Sequence, residues 1–516
     1  IPGNHGLKQL AIKHTKYGDY EKPMYDFIED HCRKNGILRG DFNFSMIPFD
    51  IIQVYAAIDA AVTFLLYDIL IKELNEDVNI RRVYRQLLLP GMRFLTDIQE
   101  NGVPFDRQRL LLAQEIMSND IEHAMKGLYS YKEVSKFEAF QDKEFNPNST
   151  LQLRKLLFDH IGLKPTGKKT GTGAHSTDAE VLGTLAEQHE IPAHILSIRQ
   201  KGKIKNTYLD KIIPQLDRDS RLRTNFSLHG TTSGRLTSSG KLNMQQLPRD
   251  NPAVKGCIKA AAGHKIVAMD LTTAEVYVAA VLAKDKKLQD VFRSGGNFHS
   301  TIAKVVFRLP CEVDEVASLY STQRQAAKAV TFGIMYGAGA SKISAQVTKD
   351  SGKYFSKQEA QEVIDDYFNQ FSKLRDWLAT KQAEIAQKGY IYSVFGRKRR
   401  LPNVFSTDKG VASHEVRSGI NFLVQSAASD INLLGAIDMH KFIKSNNLKS
   451  RIFALVHDSI LAEVPEDEVE LYCERLMQYV QKPRAGCYIE NAPVGCDFDI
   501  GDDYSFGKFE KEYQNI

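Results

Sequence analysis

The chain has 516 residues, too many for one hydrophobic core, so roughly two to four domains are expected. Hydrophobic residues make up 43% and charged residues 25%, an ordinary globular composition, and a formal charge of +5 is too weak to name a nucleic-acid partner by itself. The six cysteines are scattered without a CxxC pair, which excludes a zinc site of the usual kind and fits a reducing compartment. The opening Ile1-Pro2-Gly3 lacks a Met, so an upstream segment is expected; no signal-peptide pattern is present. No uninterrupted apolar run reaches the ~18 residues of a membrane span, so no membrane partner is expected.

Residues 1–83 read as helical, with apolar periodicity from Ile51 to Leu70. Pro90 and the Gly102-Val103-Pro104 turn bracket a short helix. Residues 107–215 are helical and Lys-rich, broken by a Gly/Lys loop from Pro165 to Ser176. Short β runs follow, Arg223 to Leu228 and His264 to Met269. Helical pattern then extends from about Thr273 to Tyr390, closed by the basic turn GRKRR at 396–400. The last hundred or so residues hold a long helix (about 412–444), a strand pair around His457-Asp458, another helix and a final strand. This mixed order predicts an α+β chain.

Asp270 closes an apolar strand, and a helix pattern starts at once after it. A strand end lets a charged group reach a cleft while the strand anchors it; an Asp that merely terminates a strand is the plain alternative. Asp458 lies between two apolar β runs. A turn aspartate is its plain alternative, although hairpin turns favour Gly beside the Asp and Ser459 follows here. Two carboxylates at two strand tips are what two-metal phosphoryl transfer requires, with the ions about 4 Å apart. Magnesium suits such oxygen ligands.

Arg324, Lys328, Phe332 and Tyr336 recur every four residues, along one slowly drifting helix face. Cations suit phosphates and rings suit a base or sugar; a packed aromatic pair with solvated cations is the alternative. Arg417, Asn421 and Gln425 repeat this spacing on an otherwise apolar helix. They point to a duplex minor groove or to a solvent-facing stripe. The loop 229–249, with Arg235, Lys241, Asn243, Gln245 and Gln246, can follow a sugar–phosphate backbone or be a surface loop.

In order, spacing and neighbours these segments resemble family A DNA polymerases, of the bacterial polymerase I and phage replicative type, from about Leu87 to Lys508. The resemblance implies a multidomain right hand: palm at 84–105, 222–285 and 411–516, thumb at 106–221 and fingers at 286–410. The remnant of an RNase H-like exonuclease domain would precede it at 1–83. It implies two Mg2+ ions, replaceable by Mn2+, held by Asp270, Asp458 and the Leu271 carbonyl. Arg324 and Lys328 would grip the triphosphate, with Lys328 also a catalytic proton donor to pyrophosphate. Phe332 would lie against the sugar, implying poor use of dideoxynucleotides. His299 would belong to the same nucleotide site, and Tyr336 would stand at the template side of the nascent pair. Glu275 would block a ribose 2′-hydroxyl, although Thr272-x-x-Glu275 also reads as a capping box. Arg235, Asn243, Gln245, Arg417, Asn421 and Gln425 would track the primer–template minor groove, with His457 near the primer terminus. Lys203 would meet duplex phosphates, together with Lys164, Lys168, Lys169, Lys201 and Lys205.

Three departures stand out. Ser459 replaces the Glu that usually follows the His-Asp pair, with Glu463 on the same strand face as a partial substitute. Tyr277 replaces a frequent Arg. The Arg235-to-Asn243 stretch is one residue longer than usual. The loop Gly162 to Lys169 lacks the hydroxyl of a P-loop, which argues against an ATPase. GRKRR reads as a turn beside the fingers rather than a nuclear-localisation run.

Tyr55-x-x-x-Asp59 resembles the last motif of the family's 3′→5′ proofreading exonuclease, and Asp19-Tyr20-Glu21 lies too close to supply its partner carboxylates. The full protein is therefore expected to proofread, and this chain not to. The function expected is primer extension with deoxynucleoside triphosphates on a DNA template, in a bacterial or phage-infected cytoplasm or an organellar matrix. A processivity or replication accessory partner is left open. A single-subunit RNA polymerase, which often carries His-Asp-Ser, is the alternative enzyme; an inactive nucleic-acid-binding scaffold is the alternative class.

Overall fold

The computed structural model describes residues 5–248 and 251–513. Ile1-Pro2-Gly3, where an upstream segment is expected to join, and Arg249, at the end of the 229–249 loop, lie outside the described residues. The chain forms two compact units, Ile1–Gln86 and Leu87–Ile516.

The first unit is built on helices α1 (Leu7–His14), α2 (Lys22–Asn35) and α3 (Phe49–Glu76). Met24, Ile28, Cys32 and Ile47 form one small core, and Ala11, Tyr20, Val62 and Leu66 another. Along α3 only Val62 and Leu66 are buried, while Phe49, Phe64 and Tyr67 are more than half exposed. By length and composition α3 could cross a membrane. No uninterrupted apolar run in α3 reaches that length, with Gln53, Asp59 and Thr63 spaced along it, while its average hydropathy does.

In the second unit, helix α4 (Leu89–Asn101) is followed by β1 (Val103–Pro104), which pairs with β2 (Arg221–Leu222). Between these strands lies a helical subdomain that includes α5 (Arg107–Tyr129) and α6 (Glu190–Lys203). It has its own core, among others Leu128, Phe137, Phe145, Leu156, Leu182 and Ile195. The loop predicted at 165–176 is pinned by a bridge between Lys169 and His175. A hairpin of β3 (Asn225–Ser227) and β4 (Thr237–Ser239) opens the loop that leads to the central sheet.

That sheet is antiparallel, built on β5 (His264–Thr272). Downstream come helices α7 (Ala274–Leu282), α8 (Phe298–Phe307), α9 (Ser321–Met335) and α10 (Ser372–Lys388), then the hairpin β6 (Tyr390–Tyr392) with β7 (Lys398–Arg400). The 37-residue helix α11 (Lys409–Ser445) leads to β8 (Arg451–Val456), β9 (Ser459–Pro465), α12 (Val469–Gln481) and β10 (Gly495–Gly501). Strand order is β10-β5-β9-β8. α11 packs on α7, α10 and α12, and α4 lies against β8. Asp285, only 2% exposed, binds two helices at once: Oδ1 accepts from Leu288 N at 3.1 Å and Oδ2 from Leu374 N at 3.0 Å. A carboxylate on two helix N-termini meets orphan N–H groups and favourable dipole ends together.

Two sequence expectations change here. β5 continues two residues past Asp270, so Asp270 is flanked on both sides, by Ser459 of β9 and Asp497 of β10. The strand persists because Gly495, opposite Thr272, leaves room for the threonine side chain; a Cβ there would fall 1.9 Å from Oγ1. The second change is at GRKRR, where Lys398 to Arg400 form β7. Arg397 is drawn into the interior by Asp430 of α11, and only 11% of its side chain is exposed.

Candidate active site

The β5–β9 ladder brings the two carboxylates together. Asp270 pairs in register with Ser459, and Leu271 N donates to Asp458 O at 3.3 Å. Asp458 is the second residue of a two-residue turn whose first, His457, has φ +55°. The left-handed backbone at a non-glycine residue is uncommon. Ser459 Oγ donates to Asp270 Oδ1, so the residue that replaces the family's usual Glu is a neutral hydrogen-bond partner of the first carboxylate. Glu463 cannot substitute for that Glu. It is 3% exposed, ion-paired with Arg221 and accepting from Ala261 N at 2.9 Å.

Glu275, near the start of α7, is 7% exposed. It makes no capping box: Thr273, in the left-handed region, is the N-cap and makes no side-chain cap bond. The Glu275 carboxylate instead accepts from Arg235 Nη2 and from the Tyr336 hydroxyl, each at 2.7 Å. Burial pushes its carboxyl above the usual range, opposed by Tyr336 and Arg235 and reinforced by nearby Asp458. Arg235 also lies 3.6 Å from Asp458. Burial and Glu275 push the Tyr336 phenol up to about 12. One cation thus joins the loop 229–249, α7 and the His457-Asp458 turn, and one phenol ties the end of α9 to the same carboxylate.

Along α9, Arg324 donates to Ser300 Oγ at 3.2 Å and Asn297 Oδ1 at 3.4 Å, both at the start of α8. Lys328 is exposed and makes no ion pair among the described residues. The Phe332 ring lies 5.5 Å from the His299 ring. Burial, with Lys328 and Arg324 nearby, lowers His299 to about 4, so it is a neutral imidazole at pH 7. Arg417 of α11 crosses Gly337, where a Cβ would fall 2.3 Å from its Cδ. Gly337 has φ +65°, so both backbone and space require glycine. Gln425 reaches the Tyr336 hydroxyl, and Asn421 keeps a buried Oδ1 without a hydrogen-bond partner.

Other predicted DNA contacts are already engaged. Asn243 Oδ1 accepts from Gln245 N at 3.0 Å as a helix cap. Both ends of the Gln245 amide bind backbone of the β8–β9 hairpin. Lys201 pairs with Asp120, Lys205 with Asp210, and Lys168 with Asp178 and Glu180, whereas Lys203 is exposed. In the first unit, Asp59 accepts from Tyr20 rather than from Tyr55, whose ring stacks on Tyr20 at 6.2 Å. Asp19 and Glu21 both lie near Lys8.

Sequence reasoning missed the Arg235–Glu275 link, the Ser459 donor and Asp497, which shares a sheet face with Asp270. The alternation Asp497-Phe498-Asp499 is the strand signal that could have found the last. Among the described residues no group of three His, Cys, Asp or Glu gathers at one point. The chain offers two carboxylates and the Leu271 carbonyl, all oxygen donors. That set fits magnesium, which keeps several waters and takes phosphate oxygens from substrate.

The family model described as DNA polymerase family A matches residues 115–505. The chain is 45% identical to the DNA polymerase of Escherichia phage T5, over all of this chain and 63% of that protein. It is 32% identical to DNA polymerase I of Pseudomonas aeruginosa, covering 91% of this chain and 49% of that one. With the thermostable DNA polymerase I of Thermus aquaticus the identity is 32%, over 83% and 48%. The chain therefore spans less than two thirds of these relatives' lengths. Among solved structures, the POL domain of Pol1 from M. smegmatis, in complex with DNA primer-template and dNTP, superposes with a TM-score of 0.74 at 27% identity. The match covers 87% of this chain and 75% of that one. Fold, motif order and these relatives agree, and the chain belongs to DNA polymerase family A.

Proposed function

We propose that the chain extends a primer 3′ end with deoxynucleoside triphosphates on a DNA template. One juxtaposition carries the reading: Asp270 on β5 lies beside the β8–β9 turn that holds Asp458, and Asp458 is linked through Arg235 and Glu275 to Tyr336 at the end of the Arg324-Lys328-Phe332 helix. A carboxylate pair joined by this chain of contacts to a cationic, aromatic helix is the equipment for a nucleoside triphosphate and a hydroxyl nucleophile.

Asp270, Asp458 and the Leu271 carbonyl would hold two magnesium ions, which when bound activate the primer hydroxyl and steady the leaving pyrophosphate. Lys328 and Arg324 neutralise the triphosphate, and Lys328, exposed at the helix face, can hand a proton to the departing pyrophosphate. The 3′ oxygen bonds to the α-phosphorus as the bond to the bridging oxygen breaks in line. Glu275 narrows the space for a 2′-hydroxyl, held in place by Arg235. The assignments follow the resemblance: palm 84–105, 222–285 and 411–516, thumb 106–221, fingers 286–410. Closure of the fingers tests base-pair shape before chemistry.

Primer extension on a templated hairpin with magnesium tests this reading. Extension by deoxynucleotides alone supports it. Efficient ribonucleotide use would favour an RNA polymerase, and tight DNA binding without extension an inactive scaffold. For Tyr55 and Asp59, the engagement of Asp59 by Tyr20 supports the view that this chain alone does not proofread. Metal-dependent 3′ degradation by the isolated chain would overturn it.

A further inference from the structure

Among the described residues β8 is an edge strand of the central sheet, and the N–H and C=O groups on its outer side have no strand there to pair with. At the point where β8 enters the catalytic turn, one side chain takes the place of that strand. Gln245 Nε2 donates to Leu455 O at 2.7 Å, and Gln245 Oε1 accepts from His457 N at 2.8 Å. The two backbone groups are two residues apart, the spacing at which an antiparallel neighbour would pair. His457 is the residue with φ +55°, and Asp458 follows it. The other side of the turn is fixed by Leu271 N on Asp458 O.

Gln245 is itself held firmly. Asn243 Oδ1 takes its backbone N–H at 3.0 Å, and Tyr208 donates to the next carbonyl, Gln246 O. Ser238 donates to Leu242 O at 3.1 Å and accepts from Met244 N at 3.2 Å. Both polar atoms of Gln245 are engaged within the protein, which leaves one N–H and one lone pair of the amide and fixes its orientation against the hairpin rather than towards a base edge.

We propose that Gln245 is a positioning residue for Asp458: it holds the His457-Asp458 turn in its left-handed backbone by standing in for the missing edge strand. This rests on the polymerase reading for the role of Asp458, but not for the geometry of the turn.

The test compares the full chain with Gln245→Ala and with the isosteric Gln245→Glu, which keeps the acceptor for His457 N and loses the donor to Leu455 O. Four quantities are read: hydrogen exchange of the 455–459 amides, Mn2+ binding without DNA or nucleotide, the maximal extension rate, and duplex affinity by fluorescence anisotropy. In Gln245→Ala, exchange in the turn accelerates at least about ten-fold. Mn2+ binding weakens about ten-fold and the maximal extension rate falls by a similar factor, while DNA affinity stays within about two-fold. Gln245→Glu falls between the two proteins in exchange. Unchanged exchange and Mn2+ binding with weakened DNA affinity would make Gln245 a groove contact and overturn the proposal; no change in any quantity would also overturn it. A wild-type chain that fails to extend primers, while the turn responds as described, would defeat the polymerase reading alone.

Discussion

Arg235 donates to Glu275 at 2.7 Å, so the buried carboxylate beside the His457-Asp458 turn is held by a cation from the loop 229–249. Truncating Glu275 to Ala removes both the wall and its link to Tyr336. Ribonucleotide incorporation relative to deoxynucleotide rises by about 100-fold in single-turnover extension. Arg235→Ala keeps the wall but leaves Glu275 buried beside Asp458 without its cation. Extension efficiency then falls about ten-fold or more.

Asp270→Asn and Asp458→Asn each lower extension by at least about 1,000-fold, because the neutral amide cannot replace a carboxylate at a site of developing charge. Duplex affinity, measured without nucleotide, stays close to that of the unmodified chain. Extension near the normal rate by either variant would break the assignment.

Lys203, exposed and without an ion pair among the described residues, differs from Lys201 and Lys205, which face Asp120 and Asp210. Lys203→Ala reduces the slope of log affinity against log salt by about one. Lys201→Ala and Lys205→Ala reduce it less, because each also frees a carboxylate. Anisotropy titrations across a salt series distinguish the three.

His299 binds its proton near pH 4 in the folded protein, against an ordinary value of 6.5. The unfolded chain takes up that proton first as pH falls. The stability held by neutral His299 is therefore complete above about pH 6.5 and lost as pH falls towards 4. Relative to His299→Gln, the unmodified chain loses on the order of 2 kcal/mol over that window, after discount for partial exposure. Thermal unfolding of both proteins at pH 7.5 and pH 4.5 reads the difference.

Asp430 is fully buried and accepts from Arg397 Nε at 3.0 and 2.9 Å, and only 11% of the Arg397 side chain is exposed. Asp430→Ala leaves an unpaired guanidinium inside and costs about 3–5 kcal/mol. Arg397→Met with Asp430→Leu recovers most of that loss, because an apolar pair needs no desolvation. Melting temperatures of the single and double variants decide it.

Much of this was legible in the sequence because strand and helix periodicity carry it. The apolar runs around Asp270 and Asp458, and the four-residue spacing from Arg324 to Tyr336, mark elements that the fold keeps. What was not legible depends on partners far away in the chain. Gln245 reads as a groove contact until Leu455 and His457, more than two hundred residues on, take both ends of its amide. Glu463 reads as a spare carboxylate until Arg221 covers it. Thr272-x-x-Glu275 reads as a capping box because the pattern cannot show that the chain reverses one residue later, at Thr273. The basic run 396–400 reads as a turn because its length hides the buried claim of Asp430 on Arg397.

Asp270 and Asp458 differ in how their backbones are tethered. Asp270 lies inside a strand paired on both sides, with two further residues of strand beyond it, whereas Asp458 hangs from a two-residue turn. One is set by the ladder on both sides, the other by two contacts at its turn, from the Gln245 side chain and from Leu271 N. On the proposed metal-binding reading, divalent cations of different ionic radius, from magnesium to manganese to calcium, would load those two contacts before they load the sheet that holds Asp270.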